Sequence, residues 1–224
     1  VAIGALALDA NTTASNNTTV GAESMSATTT GTQNTAMGKA SMGANTTGNY
    51  NVAYGAYSLD ANTTASNNTA IGYNALTANT TGHSSVAVGY QALYTNTNYS
   101  ENTAVGYKAL YTNSAGYSNT SIGHETLMVN STGANNVAVG HDALTANTTA
   151  SNNTAVGYQA LLANTTGTRN VAVGSTTLDA NTTGSYNVAL GHNAAGANTT
   201  GSQNVVIGDY AFNTNTTGAN NVAL

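Results

Sequence analysis

Four tyrosines and two histidines share one seventeen-residue spacing: Tyr73, Tyr90, Tyr107, His124, His141 and Tyr158. Stacked on successive turns of one structure, such rings form a ladder whose aromatic faces can dock sugars. The alternative is that the stacked rings only bury area and stiffen the molecule. The adjacent pair His124 and His141 could share a metal ion, or repel one another when protonated. No acidic cluster or third histidine column completes a ligand set, so neither a metal site nor a cofactor is expected. The acidic residues are scattered (Glu23, Glu101, Asp209), and Asp9, Asp60 and Asp179 share a column only on separated repeats. Solvated surface is their expected role. No Ser/His/Asp arrangement, carboxylate pair or phosphate-binding glycine loop recurs at usable spacing, so no catalytic residue is expected and the chain does not read as an enzyme.

The spacing comes from an internal repeat, which governs the fold. Gly4, Gly21, Gly38, Gly55, Gly72, Gly89, Gly106, Gly123, Gly140, Gly157, Gly174, Gly191 and Gly208 lie seventeen residues apart without insertion or deletion. Around each glycine the unit reads N-[TV]-A-[VI]-G-x-x-A-L-x-x-N-T-T-G-x-x. In "NVAVG" larger and smaller residues alternate with the period of two of a strand, and Val, Ile and Thr favour that state. "ANTTG" has the composition of a turn, whose glycine suits a positive φ although Ala14, Ala65 and Ala150 replace it. The expectation is one or two short strands per unit, then a turn, then the next unit stacked on top. That is a β-solenoid.

A single coil, burying one Val or Ile and one Leu, has too little core to stand alone. Stacking supplies backbone hydrogen bonds, and lateral packing against other chains would supply the remainder. The alanine two residues before each glycine either lets another backbone approach, as at a subunit interface, or fits inside a narrow coil. Two asparagine columns, Asn11, Asn45, Asn62 onward and Asn17, Asn34, Asn51 onward, are expected to bond along the axis or to their own turns. The triplets at Asn45, Asn62, Asn79, Asn147, Asn164, Asn181, Asn198 and Asn215 also match the N-glycosylation acceptor pattern.

Composition narrows the function classes. Only 5% of the 224 residues are charged, against about a quarter in ordinary globular proteins. Three basic residues against eight acidic ones leave no footprint for nucleic acid. No apolar run approaches the ~20 residues of a membrane-spanning helix, so no membrane insertion is expected of this segment. Cys and Pro are absent, which removes disulfides and thiolate metal sites.

"NTAVGYQAL" (Asn153–Leu161) and "NTAIGYNAL" (Asn68–Leu76) resemble the head repeat of YadA-like trimeric autotransporter adhesins, roughly N-S-V-A-I-G-x-x-S-x-A-x-G. They are also similar to shaft repeats of bacteriophage tail fibres. Asn153, Ala155, Val156 and Gly157 take the family's N, A, I and G positions, and the same holds in other units. The unit here is longer, Thr or Val replaces the family's Ser, and no neck, stalk or membrane anchor is present. The resemblance implies a left-handed parallel β-roll, three chains side by side, in an extracellular fibre on a cell or virion surface that contacts a glycan or host receptor. The expectations are therefore an all-β protein, one array over residues 1–224 of about thirteen coils, and a segment of a longer fibre. Its function is that of a spacer or head; the alternative is a protomer of a homopolymeric, glycosylated filament.

Overall fold

A computed structural model describes all residues from Val1 to Leu224. They form two compact units, Val1–Ala115 and Gly116–Leu224. The first carries β1 (Ala2–Ile3), β2 (Thr18–Val20), β3 (Thr35–Met37), β4 (Val52–Tyr54), β5 (Thr69–Ile71), β6 (Val86–Val88) and β7 (Thr103–Val105). The second carries β8 (Thr120–Ile122), β9 (Val137–Val139), β10 (Thr154–Val156), β11 (Val171–Val173), β12 (Val188–Leu190), β13 (Val205–Ile207) and β14 (Val222–Ala223). Within each unit every strand pairs in parallel with the next at a register of one repeat, for example Ala70↔Ala87 and Ala155↔Ala172. The chain is thus an all-β parallel solenoid of about thirteen seventeen-residue coils, with one strand per coil and no helix.

Each strand is held by its neighbours above and below. Val86 N–H donates to Asn102 O at 2.8 Å, and Gly89 N–H donates to Ile71 O at 2.7 Å. The segment after each glycine has no strand partner across the coil, yet it too bonds from coil to coil, as in Leu76 N–H to Ala92 O at 2.9 Å. The threonine turn does the same: Thr63 O accepts from Thr46 N–H at 2.8 Å and from Thr46 Oγ1 at 3.0 Å.

The interior differs from the expectation that Val and Ile are buried. Alanine points inward from the strand, and Ala36, Ala70, Ala104, Ala155 and Ala189 have no exposed surface. The β-branched residues on either side of it point outward. Of the two roles open to the alanine column, filling a narrow coil is the one it has. A strand only three residues long offers one inward position, and the narrow coil fills it with a small side chain, alanine in ten of the thirteen units and valine at the buried Val206. Thr19, Ser121 and Val206 break the alanine column; Val206 is buried like the alanines, and the two hydroxyl residues are each matched by a hydroxyl five residues on. Thr19 donates to Ser24, and Ser121 Oγ lies 2.6 Å from Thr126 Oγ1.

Opposite the alanines sits the expected plug: Met25, Met42, Leu59, Leu76, Leu93, Leu110, Leu127, Leu144, Leu161 and Leu178 are all fully buried. Its backbone is left-handed in every coil, with φ of 53° at Leu161 and 54° at Leu110. That conformation crowds Cβ and penalises branching there most. The plug column accordingly holds Leu, Met, Ala and Phe but never Val or Ile. The residue two before the plug and the one at the end of the turn are left-handed too, and Thr176 is the one β-branched residue among them.

The positive φ expected at the turn glycine belongs instead to the glycine after the strand, with φ of 136° at Gly89 and 140° at Gly157. A Cβ on Gly157 would collide with the carbonyl of Gly174 on the next coil. The turn glycine answers to space: a Cβ on Gly167 would meet Gly184 O and the side chain of Asn164.

The remainder of the interior is amide. Asn153 Nδ2 donates across its own coil to Gly167 O at 2.9 Å, while its Oδ1 accepts from the backbone N–H of Asn170 at 2.9 Å. Asn164 Nδ2 donates to the same Gly167 O at 3.0 Å and to Asn147 Oδ1 at 3.2 Å, and its Oδ1 accepts from Asn181 Nδ2 at 2.9 Å. Away from Asn11, which is exposed, and Asn215 and Asn221, which are half buried, both asparagine columns are buried and run from coil to coil within each unit, as expected of axial ladders, with Ser85 standing in for one asparagine. Thr28 is the exception in the second column: it is buried, and its Oγ1 has no hydrogen-bond partner.

Two substitutions of opposite sign test these ladders in chemical denaturation. Asn164→Ala removes the donor to Asn147 Oδ1 and one of the two amides on Gly167 O, leaves Asn181 Nδ2 with Gly184 O alone, and is expected to cost about 1–3 kcal/mol. Thr28→Asn restores an acceptor for Asn45 Nδ2 and is expected to stabilise by about 1 kcal/mol. Gly157→Ala combines a backbone collision with a φ foreign to L residues and is expected to lose about 2–4 kcal/mol, where a surface Gly→Ala change would be neutral or stabilising.

Candidate functional site

The expected ring ladder forms because the position after the glycine projects outward at the start of the left-handed segment. In the first unit Tyr73 and Tyr90 stack with centroids 5.7 Å apart and planes 12° apart, and Tyr90 and Tyr107 at 5.4 Å and 9°. In the second unit His124 and His141 stack at 4.7 Å and 4°, and Tyr158 follows at 5.7 Å but tilted by 35°. The rings are about half exposed, so they neither fill a core nor stand clear in solvent.

A second pair escaped the sequence reading. Tyr94 and Tyr111, in the column after the leucine plug, stack at 5.1 Å with planes 4° apart. The ammonium of Lys108 lies 5.3 Å from the Tyr107 centroid and 5.5 Å from that of Tyr111, and so joins the two columns. Tyr90, Tyr107, Tyr94, Tyr111 and Lys108 form an aromatic face with one cation, suited to the apolar face of a sugar and its hydroxyls. The signal was present in "QALYTN" and "KALYTN", seventeen residues apart. Two rungs made too short a column to stand out from the repeat. A further cation–ring pair lies in the second unit, where the Arg169 guanidinium sits 5.2 Å from the Tyr186 ring and donates to its hydroxyl.

Not all the acidic residues are solitary. Asp142 Oδ2 lies 3.1 Å from His141 Nδ1, Glu125 Oε2 lies 4.0 Å from His124 Nδ1, and Asp209 Oδ1 lies 3.0 Å from His192 Nδ1. Asp60 and Asp179 are half buried, and burial is the main cause that pushes both carboxyls above their ordinary range. For Asp60 a hydrogen bond with the Gly43 backbone acts against that shift and the charge of Glu23 adds to it.

The structure places the acceptor-pattern asparagines inside the coil. Asn45, Asn62, Asn79, Asn147, Asn164, Asn181 and Asn198 are buried, and Asn215 is half buried. Their Nδ2 groups are committed to carbonyls, as in Asn62 to Asn45 Oδ1 at 2.8 Å and to Ala65 O at 3.1 Å. A sugar on these nitrogens would displace ladder hydrogen bonds and has no room within the folded coil.

No family model, curated protein or solved structure matches the chain. The aspartates give the test at this stage. A carboxyl whose folded pKa is raised favours the protonated folded state. Its stabilising contribution is full below about pH 4, the unfolded value, and is lost as pH rises through the folded value. Asp60→Asn and Asp179→Asn are each expected to raise the melting temperature at pH 7 and to flatten its decline between acid and neutral pH. Melting curves taken across that range check this.

Proposed function

We propose that this chain is a non-enzymatic structural segment of an extracellular fibre, in which three copies pack side by side through the outward face of their strands. The observation that carries the reading is the aliphatic ladder left on that face. Ile71, Ile122, Val173 and Ile207 are 39%, 40%, 38% and 42% exposed, and each stands in a column of Val, Ile, Leu and Met, broken once by Tyr54, with a Val/Thr column beside it. Rows of apolar side chains over many coils favour burial against another surface. A copy of the same chain presents the same rows at the same axial spacing, so neighbouring solenoids can interlock without insertions.

The resemblance to YadA-like head repeats and tail-fibre shafts supports three copies, a left-handed coil and a place on a cell or virion surface. On this reading the interior supplies length and stiffness, and the aromatic face around Tyr90 and Tyr107 supplies contact with a surface glycan or receptor.

Sedimentation at micromolar concentration is the test. The expected species has three times the mass of one chain, and Ile71→Glu together with Val173→Glu reduces it to a folded monomer with an unchanged circular dichroism spectrum. A wild-type monomer overturns the trimer. Masses that keep growing with concentration overturn it as well, and would favour an end-to-end filament.

A further inference from the structure

The second unit holds a group of side chains that the fibre role does not use. His124 and His141 stand on successive coils with parallel rings, and Asp142 lies against the second of them. The candidate ligand atoms of His124, His141 and Asp142 all fall within 4.8 Å of one another, and Glu125 stands 4.0 Å from His124. The fold produces this grouping by two separate devices. The coil rise sets the imidazoles one above the other. The residue after each histidine is left-handed, with φ of 53° at Glu125 and 59° at Asp142. In an extended strand adjacent side chains face opposite ways, whereas this backbone sets each carboxylate beside its own imidazole. The sequence "GHE" and, one repeat later, "GHD" therefore encodes two histidine–carboxylate pairs on one surface.

We propose that His124, His141 and Asp142 form a surface site for a late first-row divalent cation, zinc or nickel being the natural probes. Two imidazole nitrogens with a carboxylate oxygen suit these metals, whereas calcium and magnesium ask for oxygen ligands throughout. Zinc–nitrogen bonds of about 2.0–2.1 Å require the two nitrogens to be closer than ~4.2 Å. The rings, stacked at 4.7 Å, must therefore pivot toward one another. Their side chains are 45% and 50% exposed, which leaves them room to turn toward one another. Glu125 is placed to supply a further oxygen or to accept a hydrogen bond from a ligating imidazole, and solvent completes the coordination. A bound cation ties two successive coils together at their surface. His192 and Asp209 form a built-in comparison: the pair is as close, at 3.0 Å, but offers one imidazole instead of two.

Titration calorimetry of the full chain with zinc chloride and with nickel chloride, at pH 7.5 in a non-coordinating buffer, tests the site. One equivalent per chain is expected to bind saturably. His124→Ala and His141→Ala are each expected to weaken binding at least about tenfold, a loss that removal of an outer-shell partner alone can cause. His141→Gln, which keeps a polar side chain of similar size, is expected to weaken it as much, and Asp142→Asn several-fold. His192→Ala is expected to leave binding unchanged. Nickel should selectively broaden the ring proton resonances of His124 and His141. Absence of saturable binding, binding that survives both His141 variants, or calcium binding as tightly as zinc would overturn the site.

Discussion

The carbonyl at the end of each turn is the point on which the coil depends. Gly167 O receives one amide from Asn153, at the entrance to the strand, and another from Asn164, at the start of the turn. The same amides reach the coils above and below, through Asn170 N–H and Asn147 Oδ1. A core with one leucine and a few methyl groups per coil cannot fix a backbone conformation through apolar packing alone. The asparagines do so by leaving buried polar groups only one set of partners, and a buried amide without partners is costly. This also accounts for the constant repeat length. An extra residue anywhere in a coil would displace one amide column relative to the other and break hydrogen bonds on both adjoining coils.

A backbone controlled by amides frees the other residues from conventional pattern rules. The plug residue, leucine in most coils, adopts a left-handed conformation in every one because the turn requires it, and it occupies the space that a second strand would fill in a wider solenoid. Alanine faces inward from the strand because Leu161 and its equivalents already fill the opposite side. The valines and isoleucines that flank this position are turned out in consequence.

Much of this was legible in the sequence, for identifiable reasons. The glycine column gave the period, "NVAVG" gave the strand, and the missing β-branched residues at the leucine column were a trace of its backbone. The facing of the strand was not legible. Alternation shows that two faces differ, but in a coil this narrow the smaller residue goes inside, against the ordinary expectation that larger apolar residues are buried. The acidic partners of His124 and His141 were missed on similar grounds. Adjacent residues point apart in a strand, and only the left-handed backbone at Glu125 and Asp142 brings each beside its histidine. The burial of the acceptor-pattern asparagines was not legible either, because a three-residue match carries no information about which way its side chains face.

Inside and outside thus obey different rules. Inward positions are held by hydrogen bonds that cross from coil to coil, so a change there disturbs its neighbours as well: Thr28 leaves its own hydroxyl unpaired and withholds an acceptor from Asn45. The outward column after the glycine carries no such obligation. It holds Tyr at Tyr107, His at His124 and His141, Ser at Ser175 and Asp at Asp209, on the same local backbone. Each outward substitution is local, yet the coil spacing places it within ring-stacking or ion-pairing distance of the residue one repeat away. Two neighbouring substitutions are therefore enough to create a surface group, as Tyr94 and Tyr111 do for a ring pair and His124 and His141 for imidazoles. A regular solenoid of this kind separates what must be kept for folding from what can vary in contact with its surroundings, and it does so residue by residue within one seventeen-residue unit.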